Sequence, residues 1–211
     1  MNGSGSLEWL KRVYSSRTIQ ELEERYDAWA QDYEHDVSNF GYKSPDVITR
    51  LIGRYVEKQD GPILDAGAGT GILGQRLASC GYNNLSGIDL SRAMLDVAQE
   101  KGVYRELQQM VLGDHLDFSD NHFSAVISMG VFTENHAPPE SFDELIRITK
   151  PGGHIVFSVR SDTGINKAYQ DKQDELLNEG KWELVEATNP FQCLPQATPG
   201  VLNQVFVYKV S

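Results

Sequence analysis

Apolar residues recur along the chain with two periods, and the change between them divides the sequence. Ile19, Leu22, Tyr26, Trp29 and Tyr33 are spaced by three and four, which predicts a helix with one aromatic-rich face. Thr18-Ile19-Gln20-Glu21 opens it as a capping box, hydroxyl and carboxylate each serving the other's free amide. Ser44-Pro45 reads as an N-cap and first helical residue, followed by the stripe Val47, Ile48, Leu51, Ile52 and Tyr55. From Ile63 onward short apolar runs alternate with helical patterns. Strands are expected over Ile63–Asp65, Leu85–Leu90, Leu107–Leu112, Phe123–Met129, His154–Val159, Glu183–Thr188 and Val205–Val210. The intervening helices carry Leu73 and Leu77, then Met94, Leu95, Val97 and Ala98 behind a Ser91 cap, then Glu140–Thr149 and Ile165–Glu179. Lys150-Pro151-Gly152-Gly153 stops the third of these.

Strands separated by helices form a parallel sheet with helices on both faces. The last two strands have no helix between them. Asn189 to Gln204, with Pro190, Pro195 and Pro199, joins them instead, so the final strand is expected to run in reverse. The chain thus reads as an α/β, mostly parallel seven-stranded sheet under an N-terminal helical cap. Residues 1–17 are a leader and short helix, 18–58 the cap and 59–211 the core.

The first strand ends in an acid and three alternating glycines: Ile63-Leu64-Asp65-Ala66-Gly67-Ala68-Gly69-Thr70-Gly71. Glycine permits positive φ and lets a ligand approach the main chain with no Cβ in the way. A dinucleotide pyrophosphate favours bare amides at such a turn, whereas a carboxylate suits a ligand that is cationic there. A nucleoside with positive charge is implied, and S-adenosylmethionine fits. Gly69-Thr70-Gly71-Ile72-Leu73-Gly74 also matches the nicotinamide-dinucleotide fingerprint literally. In that fingerprint the first glycine follows the strand at once; here Gly67 and Ala68 intervene.

Composition narrows the partners. The chain has 211 residues, 40% hydrophobic and 23% charged, enough to bury one core. Nineteen basic against 30 acidic residues give a net charge of −11, with no basic cluster. That argues against nucleic acid and anionic membranes as partners. No apolar run reaches membrane-span length, and Met1–Ser6 has no signal-peptide character. Cys80 and Cys193 are too few and too far apart for a disulfide framework or a metal cluster, so a cytoplasmic protein without metal is expected. The oligomeric state is not legible.

These motifs, with Gly87-Ile88-Asp89-Leu90-Ser91, Gly113-Asp114 and Leu145-Ile146-Arg147-Ile148-Thr149-Lys150-Pro151-Gly152-Gly153, resemble class I S-adenosylmethionine-dependent methyltransferases with a Rossmann-like core. More narrowly, Tyr26-Asp27-Ala28-Trp29-Ala30-Gln31-Asp32-Tyr33-Glu34 and Asn135-His136-Ala137-Pro138 resemble the methyltransferase-like proteins of the Williams–Beuren syndrome region. The resemblance implies that Ala66, Gly67, Gly69 and Gly71 lie against the methionyl and ribose parts, and that Asp65 meets the amino group directly or through water. A cap on the following helix is the plainer reading of Asp65. Asp89 would take the ribose diol, and Leu90 and Met94 the adenine, though Met94 at helical spacing equally suits the core. Asp114 would accept the adenine amino group, with the His115 amide beside it, or else Asp114 is a turn residue. Tyr33 and Tyr26 would reach the methionyl end, and Trp29 would be core. Met129 closes the fourth strand at the same edge.

The resemblance also implies methyl transfer from S-adenosylmethionine to a small-molecule acceptor by in-line displacement. The alternative is a cofactor-binding protein without catalysis of its own. An alcohol or ammonium acceptor needs a base. His136 is the sole His in the segment 129–136 that follows the fourth strand and a candidate for that role, while a His hydrogen-bonded in a loop before Pro138-Pro139 accounts for it equally. Phe191 and Leu194 are expected to wall an apolar acceptor pocket if the sixth strand runs parallel.

Overall fold

The computed structural model describes residues 3–161 and 166–211. Met1 and Asn2 of the expected leader, and Ile165 of the expected last helix, lie outside them. The elements are α1 (Gly3–Tyr14), α2 (Ile19–Trp29), α3 (Tyr33–Asn39) and α4 (Ser44–Tyr55), then β1 (Ile63–Ala66), α5 (Ile72–Ser79), β2 (Leu85–Asp89) and α6 (Arg92–Glu100). There follow β3 (Glu106–Gln109), β4 (Phe123–Phe132), α7 (Ser141–Ile148), β5 (Thr149–Arg160), α8 (Asn166–Asn178), β6 (Trp182–Ala187), β7 (Phe191–Gln192) and β8 (Leu202–Val210).

The strands lie in the order β3-β2-β1-β4-β5-β8-β6, with the two-residue β7 beside β8. Pairing is parallel from β3 through β5, and β8 is antiparallel to both β5 and β6. The reversed last strand is as expected, and β6 consequently points the same way as β1. Strand order reverses between β1 and β4, which opens the crevice where sheets of this kind take ligands.

Alternation along the strands fills two layers. Ile63, Ala125, Ile127, Val156 and Val207 pack under Ile48, Leu51 and Ile52 of α4 and Leu73 and Leu77 of α5. Leu64, Ala66, Val126, Ile155 and Phe157 face Phe142, Leu145 and Ile148 of α7 and Leu176 of α8. A third cluster joins Leu10 and Val13 of α1, Leu22 and Trp29 of α2, and Val37 and Phe40 of α3 to Cys193 and Leu194.

Several boundaries differ from expectation. The helix read through Tyr33 breaks after Trp29, because α3 folds back so that the buried Asp36 carboxylate accepts the Trp29 indole N–H at 2.8 Å. In the capping box Thr18 does take the Glu21 N–H, but the Glu21 carboxylate accepts from Arg17 N–H, not from Thr18. Ser44 is the first helical residue instead of the cap; Lys43 precedes it, its N–H donating to Cys193 O. The third strand ends at Gln109, so Met110 to Leu112 leave the ladder. β4 continues to Phe132 across an irregularity after Ser128, and β5 begins at Thr149, directly after α7. The connection read as irregular contains β7.

Phe142 is fully buried, with ring centroids 4.5 Å from Phe132 and 4.6 Å from Phe157. Phe142→Ala is expected to lower unfolding free energy by about 3–5 kcal/mol, read from the denaturant midpoint at constant slope.

Candidate functional site

A cavity of about 700 Å³, including the space at its open mouth, lies at the β1–β4 switch point. Its floor is the glycine turn. Gly67 N–H and Ala68 N–H both donate to Ile88 O, at 2.8 and 2.9 Å, which pins the turn to the end of β2. Gly67 has φ +88°, and a Cβ there would stand 2.2 Å from Val131 Cγ2. No other residue fits that position.

Asp89 stands at one side wall, its two carboxylate oxygens already oriented. Oδ2 accepts from Gly69 N–H at 2.8 Å and Oδ1 from Ser91 N–H at 2.9 Å. Burial pushes its pKa up to about 6, against the pull of those amides. Leu90 and Met94 continue this wall, and Met110, Val111 and Leu112 complete an apolar slot. The roof is α2, through Ile19, Leu22 and Tyr26, with Tyr33 at the head of α3. Met129, Gly130, Val131 and His136 form the far end.

His136 is neutral near pH 7, burial holding its pKa below the usual imidazole value. Its Nδ1 lies 2.7 Å from Glu134 O, which can only accept, so Nδ1 carries the proton. The lone pair is therefore on Nε2, which accepts from Tyr26 Oη at 2.9 Å. Burial, first of all, raises the Tyr26 pKa well above its ordinary value, so Tyr26 is the donor of that bond.

Of the residues named from the sequence, Tyr26, Tyr33, Gly67, Gly69, Asp89, Leu90, Met94, Met129 and His136 line this cavity; Asp65, Ala66, Gly71, Asp114 and His115 do not. Asp65 is 2% exposed, and its Oδ2 accepts from Tyr104 Oη at 2.7 Å. Burial raises its pKa to about 7, and the Tyr104 bond acts the other way. Ala66 is the last residue of β1, its side chain buried in the core with Leu64, and Gly71 is the left-handed residue ahead of α5. Asp114 and His115 are exposed, His115 Nδ1 lying 3.2 Å from Glu144. The slot beside them is made by Met110–Leu112, which leave β3 where the ladder stops. Phe191 and Leu194 sit at the ligand edge, packed with the cap instead of lining the cavity.

Tyr104 went unread because no local spacing links it to Asp65. The signal was Gly74: a Cβ there would lie 2.1 Å from Tyr104 Oη. The third glycine of the literal fingerprint is thus a seat for a tyrosine. Among the described residues no group of three or more His, Cys, Asp or Glu could hold a metal, and no helix is long and apolar enough to cross a membrane.

Comparison with known proteins agrees with this geometry. The family described as methyltransferase domain matches residues 64–157. Human methyltransferase-like protein 27 is 31% identical over 184 residues, covering 82% of this chain and 74% of that protein. The putative methyltransferase YqeM of Bacillus subtilis is 31% identical over 160 residues, covering 71% of this chain and 63% of its own. Among solved structures, the [4+2]-cyclase SpnF superposes with a TM-score of 0.70 at 17% identity, over 92% of this chain and 97% of that one. An S-adenosylmethionine-dependent methyltransferase from Methanosarcina mazei gives 0.62 at 18%, over 76% and 96%. The chain belongs to the class I S-adenosylmethionine-dependent methyltransferases.

Both buried acids hold their protons more tightly folded than unfolded. Their contribution to stability is full below the unfolded carboxyl range, near pH 4, and is lost as pH rises through about 6 for Asp89 and about 7 for Asp65. Asp65→Asn removes one of these titrations, so between pH 5 and pH 8 it should lose about 2–3 kcal/mol less stability than the parent. Equal pH slopes in paired denaturant titrations would show that Asp65 does not titrate in this range.

Proposed function

We propose that the chain transfers the methyl group of S-adenosylmethionine to a small-molecule acceptor by in-line displacement, within one methyltransferase domain over 18–211. The observation that carries the cofactor half is Asp89, held by the Gly69 and Ser91 amides at the mouth of an apolar slot. A carboxylate already oriented suits a ribose diol, and Leu90, Met94 and Met110–Leu112 suit an adenine ring. The glycine turn would then run beneath the methionyl part. The sulfonium would face Met129–Val131, Tyr26 and His136. Asp65, sealed by Tyr104, would act on the cofactor only through the turn it underlies.

In the transfer, the acceptor heteroatom forms a bond to the methyl carbon as the carbon–sulfur bond breaks, its electron pair remaining on sulfur. The protein's part is to align the partners and to exclude water. An acceptor carrying a proton needs somewhere to leave it. His136 Nε2 is the unprotonated nitrogen of the site and accepts from Tyr26 Oη, both side chains lining the cavity. The acceptor's proton passes to Tyr26 Oη as the Tyr26 proton passes to Nε2, and Glu134 O steadies the imidazolium through Nδ1–H.

Support for a small acceptor comes from the chain's acidity and from named relatives. One is a ubiquinone biosynthesis O-methyltransferase of Alkalilimnicola ehrlichii, 32% identical over 46% of this chain. Another is a demethylmenaquinone methyltransferase of Renibacterium salmoninarum, 37% identical over 44%. A net charge of −11 disfavours polyanionic acceptors.

S-adenosylhomocysteine is expected to raise the melting temperature and NADH to leave it unchanged; Asp89→Ala should weaken S-adenosylhomocysteine at least about tenfold in calorimetry. Unchanged affinity would take Asp89 out of the ribose role. On an acceptor found by screening, His136→Gln should lower kcat about 100-fold while keeping S-adenosylhomocysteine affinity within about threefold. Near-normal turnover at pH 7 would end the base assignment.

A further inference from the structure

We infer that Asp27 is a positioning residue that locks the cap helix α2 onto the ribose wall and so sets how long the cofactor stays bound. The inference rests on reading the cavity as the S-adenosylmethionine site. It concerns a residue that lines no part of that cavity.

Two stripes of α2 do different work. Ile19, Leu22 and Tyr26 face the cavity. Glu23 and Asp27, one turn apart on the neighbouring stripe, face the start of α6 and the end of β3. Asp27 Oδ1 accepts from Ser91 Oγ at 2.5 Å and from Ala93 N–H at 3.1 Å. The Ala93 amide belongs to the first turn of α6 and has no partner within its own helix. A carboxylate at that end also meets the positive pole of the helix. Ser91 is fully buried, and its hydroxyl still accepts from Met94 N–H, so it caps α6 while donating to Asp27.

The chain of contacts continues into the site. Ser91 N–H holds Asp89 Oδ1, and Asp89 Oδ2 holds Gly69 N–H. Beside it, Gln109 Nε2 bridges Glu23 Oε1 and Leu90 O, both at 2.8 Å. Asp89, Leu90 and Ser91 are therefore gripped from below by the glycine turn and from above by α2. A cofactor under Leu22 and Tyr26 would be covered by α2, and lifting α2 breaks both bonds to Asp27. Opening is then the slow step of release, as for other lids. The role also accounts for an acid between the cavity-facing Tyr26 and the core Trp29, where helical packing alone asks for none.

The test uses the full chain with S-adenosylhomocysteine as probe, followed by stopped-flow binding and by hydrogen exchange. Asp27→Ala should speed dissociation about tenfold with a much smaller change in association, and should speed exchange over 19–29 but not in β1 or β4. Asp27→Asn keeps an oxygen that accepts both bonds and should restore dissociation to within about threefold of the parent. Two outcomes overturn the role: an Asp27→Ala off-rate equal to the parent's, or an Asp27→Asn protein as impaired as Asp27→Ala. If Asp27→Ala does not fold, the parent decides. S-adenosylhomocysteine should then protect the Ala93 amide together with the α2 amides, and protection of one without the other overturns the role. Failure of the parent to bind S-adenosylhomocysteine at all is a different result, which removes the cofactor reading itself.

Discussion

Two carboxylates stand at the ends of neighbouring strands, Asp65 next to last in β1 and Asp89 last in β2, and the glycine turn beside them depends on both being satisfied. A buried carboxylate without donors costs several kcal/mol. The fold meets that demand differently at the two ends. Asp89 is held by main-chain amides, one of them from the turn, and so fixes the turn's path while keeping its place on the cavity wall. Asp65 is closed off by Tyr104 and supports the turn from underneath. One acid is thus open to a ligand and the other is structural. Their different surroundings decide this, since the two strand ends look alike in sequence.

The glycines follow from the same demand. Gly67 makes room for Val131, and Gly74 makes room for Tyr104. Each allows a side chain from elsewhere in the chain to close on the turn. The turn is therefore rigid before any ligand arrives, and binding energy need not be spent in ordering it. The cap is joined to this rigid part at Ser91 by Asp27, and at His136 by Tyr26.

Strand alternation and the helical stripes were enough to read the sheet and both helical faces, since each depends on periods local in sequence, and the helix-free connection 189–204 gave the reversed last strand. The cavity's edge was legible at Gly67 and Gly69 for the same reason: an apolar strand, an acid and glycines stand in one short run. Asp114 and His115 enter the site reading through the family resemblance of Gly113-Asp114, at the expected end of the third strand. The real ladder stops at Gln109, and main-chain geometry puts Met110–Leu112 at the slot instead. Tyr104 and Asp27 could not be read. Each matters through a partner 39 or 64 residues away, and nothing periodic links such pairs.

The division between what the family shares and what it does not has a physical basis here. The matched family spans residues 64–157, which contain the glycine turn, Asp89, the apolar slot and His136. Fold alone is a weak guide to chemistry, since a structure described as a [4+2]-cyclase superposes on this chain at 17% identity. Outside the matched span lie α1–α4 before it and α8 and β6–β8 after it, and α1–α3 meet the loop after β7 in one cluster. Phe40 O receives the Gln196 N–H, Lys43 N–H reaches Cys193 O, and Phe191 and Leu194 pack with Tyr33 and Tyr42. Cap and β7 loop thus form one body beside the cavity, which the cap also roofs through Leu22 and Tyr26. Selection among acceptors is expected to reside in that body, and exchanging α1–α4 without the β7 loop would break its shared hydrogen bonds before it altered specificity.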